Sequence, residues 1–428
     1  MTERKPREVL VREDLPAIDP ARLRGMFDDL SAIGGTPGGG VTRLAASRED
    51  GIARDYLRDW LDREGFRVHI DQVGNIYGLL DLAGAGAPLI LTGSHLDSQP
   101  LGGRFDGAYG VVASCEAVRS ARAFGEARSR PFSRNLAIAA WTNEEGTRFQ
   151  PSTLGSSVFA GLYETAAALS QADRDGVTLE QALGGIGYLG TDDPPSRVES
   201  YLELHIEQGR RLEDGGCAIG VVEGNWGTVK YVADIQGEAA HTGPTPMKER
   251  RDALLAAAQL VILCRTLSDE TDGELVTSVG RLDITPNSTN IVAGHVRMFA
   301  EFRALDSARL ADGCRRFEGA AARVSSPGLS ISLRRTTERA PGSFDSALCS
   351  LVEAVARIRG YRTMRLHTVA GHDAVPLRAV CRSGMIFVPS VNGVSHSEKE
   401  LTRPEDMEAG ATVLAGALYA LATGTDGL

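Results

Sequence analysis

The chain has 428 residues, of which 42% are hydrophobic and 24% charged; that length exceeds one compact core, so a larger and a smaller domain are expected. A formal net charge of -10 argues against a nucleic-acid partner, because phosphate binding draws on clustered Lys and Arg. The charged N-terminal stretch and the lack of any apolar run near about eighteen residues argue against secretion and membrane spanning, and six scattered cysteines without CxxC spacing fit a reduced, cytoplasmic setting.

In chain order, apolar spacing predicts helices over 21–30 and 49–64, separated by the Gly-rich stretch 34–40. Strands are expected at 66–73 and 75–80, and 88–93 reads as a buried strand, being short, apolar and ended by Gly93. A helix over 110–123 leads to a second buried strand, 135–141, which delivers Thr142, Asn143, Glu144 and Glu145. An acidic helical stretch over 164–183 precedes a strand at 200–206 carrying His205, and then a helix over 207–214. This alternation predicts an α/β domain with its chemistry at strand ends. From Gly227 the order becomes strand 229–236, helix 250–267, strands 274–282 and 295–303, helix 307–324 and strand 330–335, a self-contained α+β unit. Helix and strand resume after 345 and end in a helix over 404–423, with Thr402 as its cap and Pro404 in its first turn. The expected organisation is a catalytic domain over 1–224 and 341–428, interrupted by a smaller domain over 225–340.

The strongest local cluster is GSHLDS at 93–98, followed by GGRFDG at 102–107. His95 and Asp97 lie two apart on extended chain, so the carboxylate can hold one imidazole nitrogen while the other binds a metal. Asp106 sits in a turn bounded by glycines, where a carboxylate can reach two cations, and is assigned as their bridge. Glu144 and Glu145 follow an apolar strand, which suits a division of labour in which one binds metal and the other serves as general base. His205 and His396 complete a mixed imidazole and carboxylate set suited to two divalent ions, Zn²⁺ or Mn²⁺, with Co²⁺ or Ni²⁺ as further candidates. His69, His295 and His367 fall in no motif and are read as surface or structural, and His372 beside Asp373 as a supporting residue.

The motifs GSHLDS, GGRFDGAYGV, TNEEGTRF, ELHIEQG, AAHTGPTPMKERRDAL, PNSTNIV, GHDA and SHSEKE resemble the amidase family of N-carbamoyl-L-amino-acid hydrolases, allantoate amidohydrolases and β-ureidopropionases over roughly 22–418. The resemblance implies a metallopeptidase-like α/β catalytic domain with a mixed sheet, interrupted by an α+β lid that also forms a homodimer. It further implies His95, Asp106, Glu145, His205 and His396 as metal ligands, Glu144 as base, and Gln208, His241, Asn290 and Arg303 as substrate contacts. His241 would also stabilise the oxyanion, and Arg303 would grip a carboxylate, a role that a planar guanidinium suits and that Glu301 and Asp306 contest.

The implied reaction is cleavage of the ureido C–N bond of N-carbamoyl-L-amino acids to amino acid, CO₂ and ammonia. Allantoate, N-carbamoyl-β-alanine, and the ordinary amide of an N-acyl amino acid or dipeptide are the alternatives, all of them small carboxylate-bearing substrates. Two departures bear on the pocket. Thr368-Val369-Ala370 precedes GHDA where the family often has a Ser-Gly-Ala-like stretch, and Asn225-Trp226 places a polar residue and a large aromatic near the hinge.

Overall fold

The computed structural model describes residues 11–425; the first ten residues of the charged N-terminal stretch lie outside them. The chain divides into one unit that runs to Glu223 and resumes at Phe344, and a second over Gly224–Ser343.

The first unit is an α/β fold around a mixed sheet. Its strands lie in the order Arg67–Ile70, Ile76–Leu80, Asn135–Trp141, Leu89–His95, Val198–Ile206, Arg382–Val388 and Ile219–Asn225, with Thr363–Thr368 beside the last. The middle of this sheet is parallel: Leu89–His95 pairs in parallel with Asn135–Trp141 and with Val198–Ile206, which pairs in parallel with Arg382–Val388. These strands are apolar on both faces and buried throughout their shared core, as sheets covered on both sides must be. Their C-terminal ends all open onto one edge, where α/β folds place ligands.

Two long helices seal the sheet. Ala108–Ala127 packs against the three central strands and against Pro404–Thr423, which is buried along nearly its whole length. Pro404 opens that helix and Gly424, at φ 71°, closes it. Thr402 does not cap it, because its hydroxyl donates instead to the Pro389 carbonyl at 3.0 Å.

Several predicted elements differ in extent. The strand expected at 66–73 ends at Ile70, because Asp71 accepts the Val73 and Asn75 N–H groups and folds the chain into a turn. The helix expected over 164–183 is two helices, Thr165–Leu169 and Leu179–Ile186. Between them Asp173 accepts the N–H groups of Asp175 and Val177, and Thr178 begins the second helix with a capping box to Gln181. The helix expected from 207 is confined to Arg211–Gly215. Glu207 still donates its N–H to the sheet at Val388, and its carboxylate accepts the N–H groups of Arg211 and Leu212.

In the second unit the strands Ser330–Arg339, Gly227–Gln236, His295–Ala304 and Leu275–Thr285 lie in that order and are antiparallel. One face alternates inward with Val229, Tyr231, Ala233, Ile235, Val296, Met298, Ala300 and Phe302, and buries against helices Ala253–Asp269 and Ser307–Val324. That alternation is the period-two pattern of a one-sided sheet. Among the described residues no helix is long and apolar enough to cross a membrane, and all six cysteines are unpaired.

A buried ion pair within helix Arg48–Arg63 holds Arg54 where it can reach the neighbouring sheet edge. The Arg54 guanidinium, 2% exposed, meets Asp50 at 2.7 Å and also donates to the Gly74 carbonyl and the Thr142 hydroxyl. Replacing Arg54 with Ala would strand the Asp50 carboxylate in the core. We expect a loss of about 3–5 kcal/mol in unfolding free energy, read by urea denaturation; a loss within the range of a surface substitution would show that the pair is not needed.

Candidate active site

Each of the four central parallel strands brings a side chain to the same edge. His95 ends Leu89–His95, Glu144 and Glu145 follow Asn135–Trp141, His205 is the penultimate residue of Val198–Ile206, and His396 lies in the loop after Arg382–Val388. Asp106 sits two residues before helix Ala108–Ala127, at the centre of the group.

Its two carboxylate oxygens face different partners. Oδ1 lies 3.0 Å from His205 Nε2 and 3.5 Å from His95 Nε2, whereas Oδ2 lies 3.3 Å from His396 Nε2. Glu145 stands 3.4 Å from the same His396 nitrogen. Two donor groups result, His95 with Asp106 and His205, and Asp106 with Glu145 and His396, each compact enough to enclose an ion and both sharing Asp106. Gly107, at φ 64°, makes this approach feasible: a Cβ there would lie 2.3 Å from the His95 ring.

The electrostatics show that the group is built for added positive charge. Burial alone would raise the Asp106 carboxyl, but hydrogen bonds from His205, His396 and His95 hold it well below the usual range. Burial opposes charge on His95, yet Glu144, Asp106 and Asp97 push its pKa well up. His205 is likewise raised, its burial outweighed mainly by the hydrogen bond to Asp106. His396, half exposed, is raised to about 9, chiefly by its hydrogen bond to Asp106. Protons on the imidazoles thus do the work that cations would do, and neutral imidazoles with ionised carboxylates are the donor set that borderline divalent ions prefer. The residues present therefore fit a pair of divalent ions.

Glu144 and Glu145 occupy different surroundings. Burial pushes the Glu144 carboxyl well up, with Asp373 and Glu145 adding to the rise and His95, at 3.6 Å, opposing it. Burial also raises Glu145, to about 7. Gln99 donates to Glu145 at 2.8 Å. The turn that presents them is held at several points: the Thr142 N–H by Asn75, the left-handed Asn143 (φ 57°) by its amide bonds to the Phe149 and Pro151 carbonyls, and the N–H groups of both glutamates by Asp97.

That last contact corrects the expected role of Asp97. The strand ends at His95, so the pair is not two residues apart on extended chain, and it is the Asp97 backbone carbonyl that meets His95 Nδ1, at 2.9 Å. The carboxylate lies 3.9 Å from that nitrogen and accepts the Glu144 and Glu145 N–H groups instead. His205 Nδ1 similarly faces a backbone carbonyl, that of Ile206.

Gln208 belongs to the same group. Held in a left-handed conformation at φ 60°, it donates to Asp106 Oδ2 at 2.7 Å, while its buried Oε1 has no hydrogen-bond partner. His372, read from sequence as supporting, has its ring 4.5 Å from that of His205 and its Nε2 beside the Thr368 hydroxyl. No role was expected for Glu203, nor for Ser395 and Glu400 inside the SHSEKE motif, and Asp373 was expected only as the neighbour of a supporting His372. Glu203 accepts from the Ser94 hydroxyl and the Ala374 N–H, and Asp373 accepts from Ser156. The signal for Glu203 was present, since a glutamate in the middle of an apolar strand requires a partner.

The other expected contacts lie in the second unit. His241 and Asn290 come together there: His241 pairs with Ile291, and the Asn290 carbonyl accepts the Thr242 N–H. Both side chains are exposed. Arg303 lies on the sheet face opposite that unit's core and pairs with Glu301 at 2.7 Å.

Such a shared carboxylate between two imidazole-bearing groups, with a further buried glutamate alongside, defines the site of a dinuclear-type metallohydrolase. The family model of peptidase family M20/M25/M40 matches residues 91–420, and the chain belongs to this family, as a hydrolase of a carbon–nitrogen bond. It is 35% identical to the N-carbamoyl-L-amino acid amidohydrolase of Geobacillus stearothermophilus over 95% of this chain and 100% of that one. It is 31% identical to the allantoate amidohydrolase of Bacillus subtilis over 92% and 95%. Among solved structures, an amidase of the hydantoinase/carbamoylase family from Burkholderia vietnamiensis superposes with a TM-score of 0.89 at 39% identity, covering 95% of this chain and 98% of that one.

Because metal ligation requires neutral imidazoles, loading divalent ions near neutral pH displaces protons. His396, with a pKa near 9 in the metal-free protein, is charged below that value, so apparent metal affinity should rise as pH climbs toward it. Titration calorimetry in buffers of different ionisation enthalpy reads the released protons directly, and heats independent of buffer would contradict this charge balance.

Proposed function

We propose that this chain hydrolyses the ureido C–N bond of N-carbamoyl-L-amino acids, giving the amino acid, CO₂ and ammonia. The observation that carries the reaction class is the division of the Asp106 carboxylate between two donor groups with Glu144 beside them. The choice of substrate rests on the likeness to the Geobacillus stearothermophilus enzyme over 95% of this chain and the whole of that one.

In this reading His95, Asp106 and His205 hold one divalent ion, Zn²⁺ or Mn²⁺, and Asp106, Glu145 and His396 hold the other. When bound, the two cations make water more acidic, polarise the ureido carbonyl and favour the charged form of Glu144. Glu144 takes a proton from the attacking water and returns it to the leaving nitrogen. Asp97 fixes its position by holding the Glu144 N–H. The unpartnered Oε1 of Gln208 accepts a ureido N–H. Asn290 hydrogen-bonds the substrate, His241 stabilises developing negative charge, and Arg303 grips the carboxylate, with Glu301 as its partner until substrate arrives. The second unit acts as the lid and as the contact of a homodimer, and the protein works in the cytoplasm.

Glu144→Gln keeps the shape and the backbone contact but cannot take a proton. It should bind two equivalents of metal while turnover falls by about 10²–10⁴-fold; normal turnover would remove Glu144 as the base.

The likeness to the Bacillus subtilis enzyme makes allantoate the rival substrate. Ammonia and free amine are to be measured after Mn²⁺ or Zn²⁺ reconstitution with N-carbamoyl-L-amino acids, N-carbamoyl-β-alanine, allantoate and N-acetyl amino acids. Preference for the N-carbamoyl-L-amino acids is the expected result. Faster turnover of allantoate would reassign the substrate, and amine release from the acetyl compounds alone would replace ureido cleavage with amide cleavage.

A further inference from the structure

We propose that Glu400 is a positioning residue that locks the bridging carboxylate and the His396 loop into one arrangement, so that the ion shared by Asp106, Glu145 and His396 is held tightly. The inference rests on the two-ion reading above and adds to it a residue that touches neither the substrate nor an ion.

Glu400 is 5% exposed and reaches both ligand-bearing loops at once. Its Oε1 accepts the N–H groups of Phe105 and Asp106, each at 3.0 Å. Its Oε2 accepts the Ser395 hydroxyl at 2.9 Å, and that hydroxyl also lies 3.3 Å from Asp106 Oδ2. One carboxylate therefore fixes the backbone that carries Asp106 and the residue immediately before His396. Gly103 is what lets it come so close, since a Cβ at that position would fall 1.9 Å from Oε1.

The His396 loop needs such an anchor. His396 is held at φ 54° and Asn392 at φ 56°, left-handed conformations that persist at a residue such as His396 only where neighbouring structure holds them. His396 is also half exposed, unlike the enclosed His95 and His205, so packing does little to hold its ring. From the other side, the Thr36 hydroxyl donates to the Glu398 carboxylate, which gives the Gly-rich stretch 34–40 a part in the same support. Losing a contact that orients a ligand typically costs about 10–100-fold in metal affinity.

The test uses the full-length protein, stripped of metal and titrated with Mn²⁺ alone, followed by calorimetry and by electron paramagnetic resonance of the coupled ion pair. In Glu400→Ala the ion held by Asp106, Glu145 and His396 should lose about 10–100-fold in affinity and the coupled signal should collapse toward that of a single ion. Glu400→Gln should recover most of both. Its amide oxygen can still accept the Phe105 and Asp106 N–H groups, and its amide nitrogen can donate to Ser395.

Wild-type affinity and coupling in Glu400→Ala would overturn the proposal. So would a Glu400→Gln protein as weak as Glu400→Ala, because the clamp would then not be what matters. Should Glu400→Ala fail to fold, Ser395→Ala removes only the hydroxyl between the loops. A selective loss of the second ion supports the assignment and unchanged binding of both ions refutes it. Failure of the unaltered protein to take up two Mn²⁺ ions would instead sink the two-ion reading itself, which keeps the two failures distinct.

Discussion

An ionised carboxylate enclosed at a sheet edge is the constraint that organises the catalytic unit. Asp106 is almost inaccessible to solvent, and such a charge survives burial only when every lone pair is met by a donor or a cation. His205 and His95 meet one oxygen, and His396, Gln208 and Ser395 the other. The parallel strands supply these partners because their C-terminal ends converge on one edge. The helix that begins at Ala108 adds the partial positive charge of its N-terminus nearby.

The carboxylate is costly to bury, and its surroundings are correspondingly rigid. Asn143, Gln208 and His396 each occupy left-handed backbone, and each is held by a hydrogen bond of its own or of the residue before it. Strain of this kind persists only where neighbouring structure over-determines it. The immediate environment of the cluster is consequently built from backbone groups as much as from side chains. His95 and His205 lean on carbonyls, Asp97 receives two peptide N–H groups, and Glu400 receives two more. Little of this depends on a second acidic residue being present in the sequence at a fixed spacing from its histidine.

That explains what could and could not be read from the sequence. The strands at Leu89–His95 and Asn135–Trp141 are apolar, bounded and short, and the residues after them are polar in a way no core strand tolerates, so the placing of Glu144 and Glu145 followed from pattern alone. The order of elements in the second unit was legible for the same reason, since strict alternation along Gly227–Gln236 and His295–Ala304 leaves one interpretation. The strand Ile219–Asn225 was missed because the segment around Gly224 was read as a hinge, and its Gly220 is where the neighbouring strand's Phe387 packs closely. Asp97 meets His95 through its backbone carbonyl, while its carboxylate accepts the Glu144 and Glu145 N–H groups, because the strand ends at His95 and the residues beyond it are not extended. Glu400 lies inside the SHSEKE motif, but its role was not legible there, since two of its partners are peptide groups about 295 positions away and no local pattern announces a bond to a distant main chain.

The two ends of the interruption are neighbours: the Phe344 N–H donates to the Glu223 carbonyl at 2.8 Å. Between them the second unit has its own sheet and core, and all of it is specified by Ser343. The first unit is in a different position, for the strand Arg382–Val388 lies between Val198–Ile206 and Ile219–Asn225, and Pro404–Thr423 covers the central sheet. On the ribosome, where domains generally fold as units while the chain emerges, the inserted part can bury its apolar face while the host is still missing an inner strand. The later-numbered unit is then the earlier to mature, and the half-built host sheet must wait, its Ile206 and Val221 flanks unpaired, for about the last tenth of the chain to be made before it is sealed.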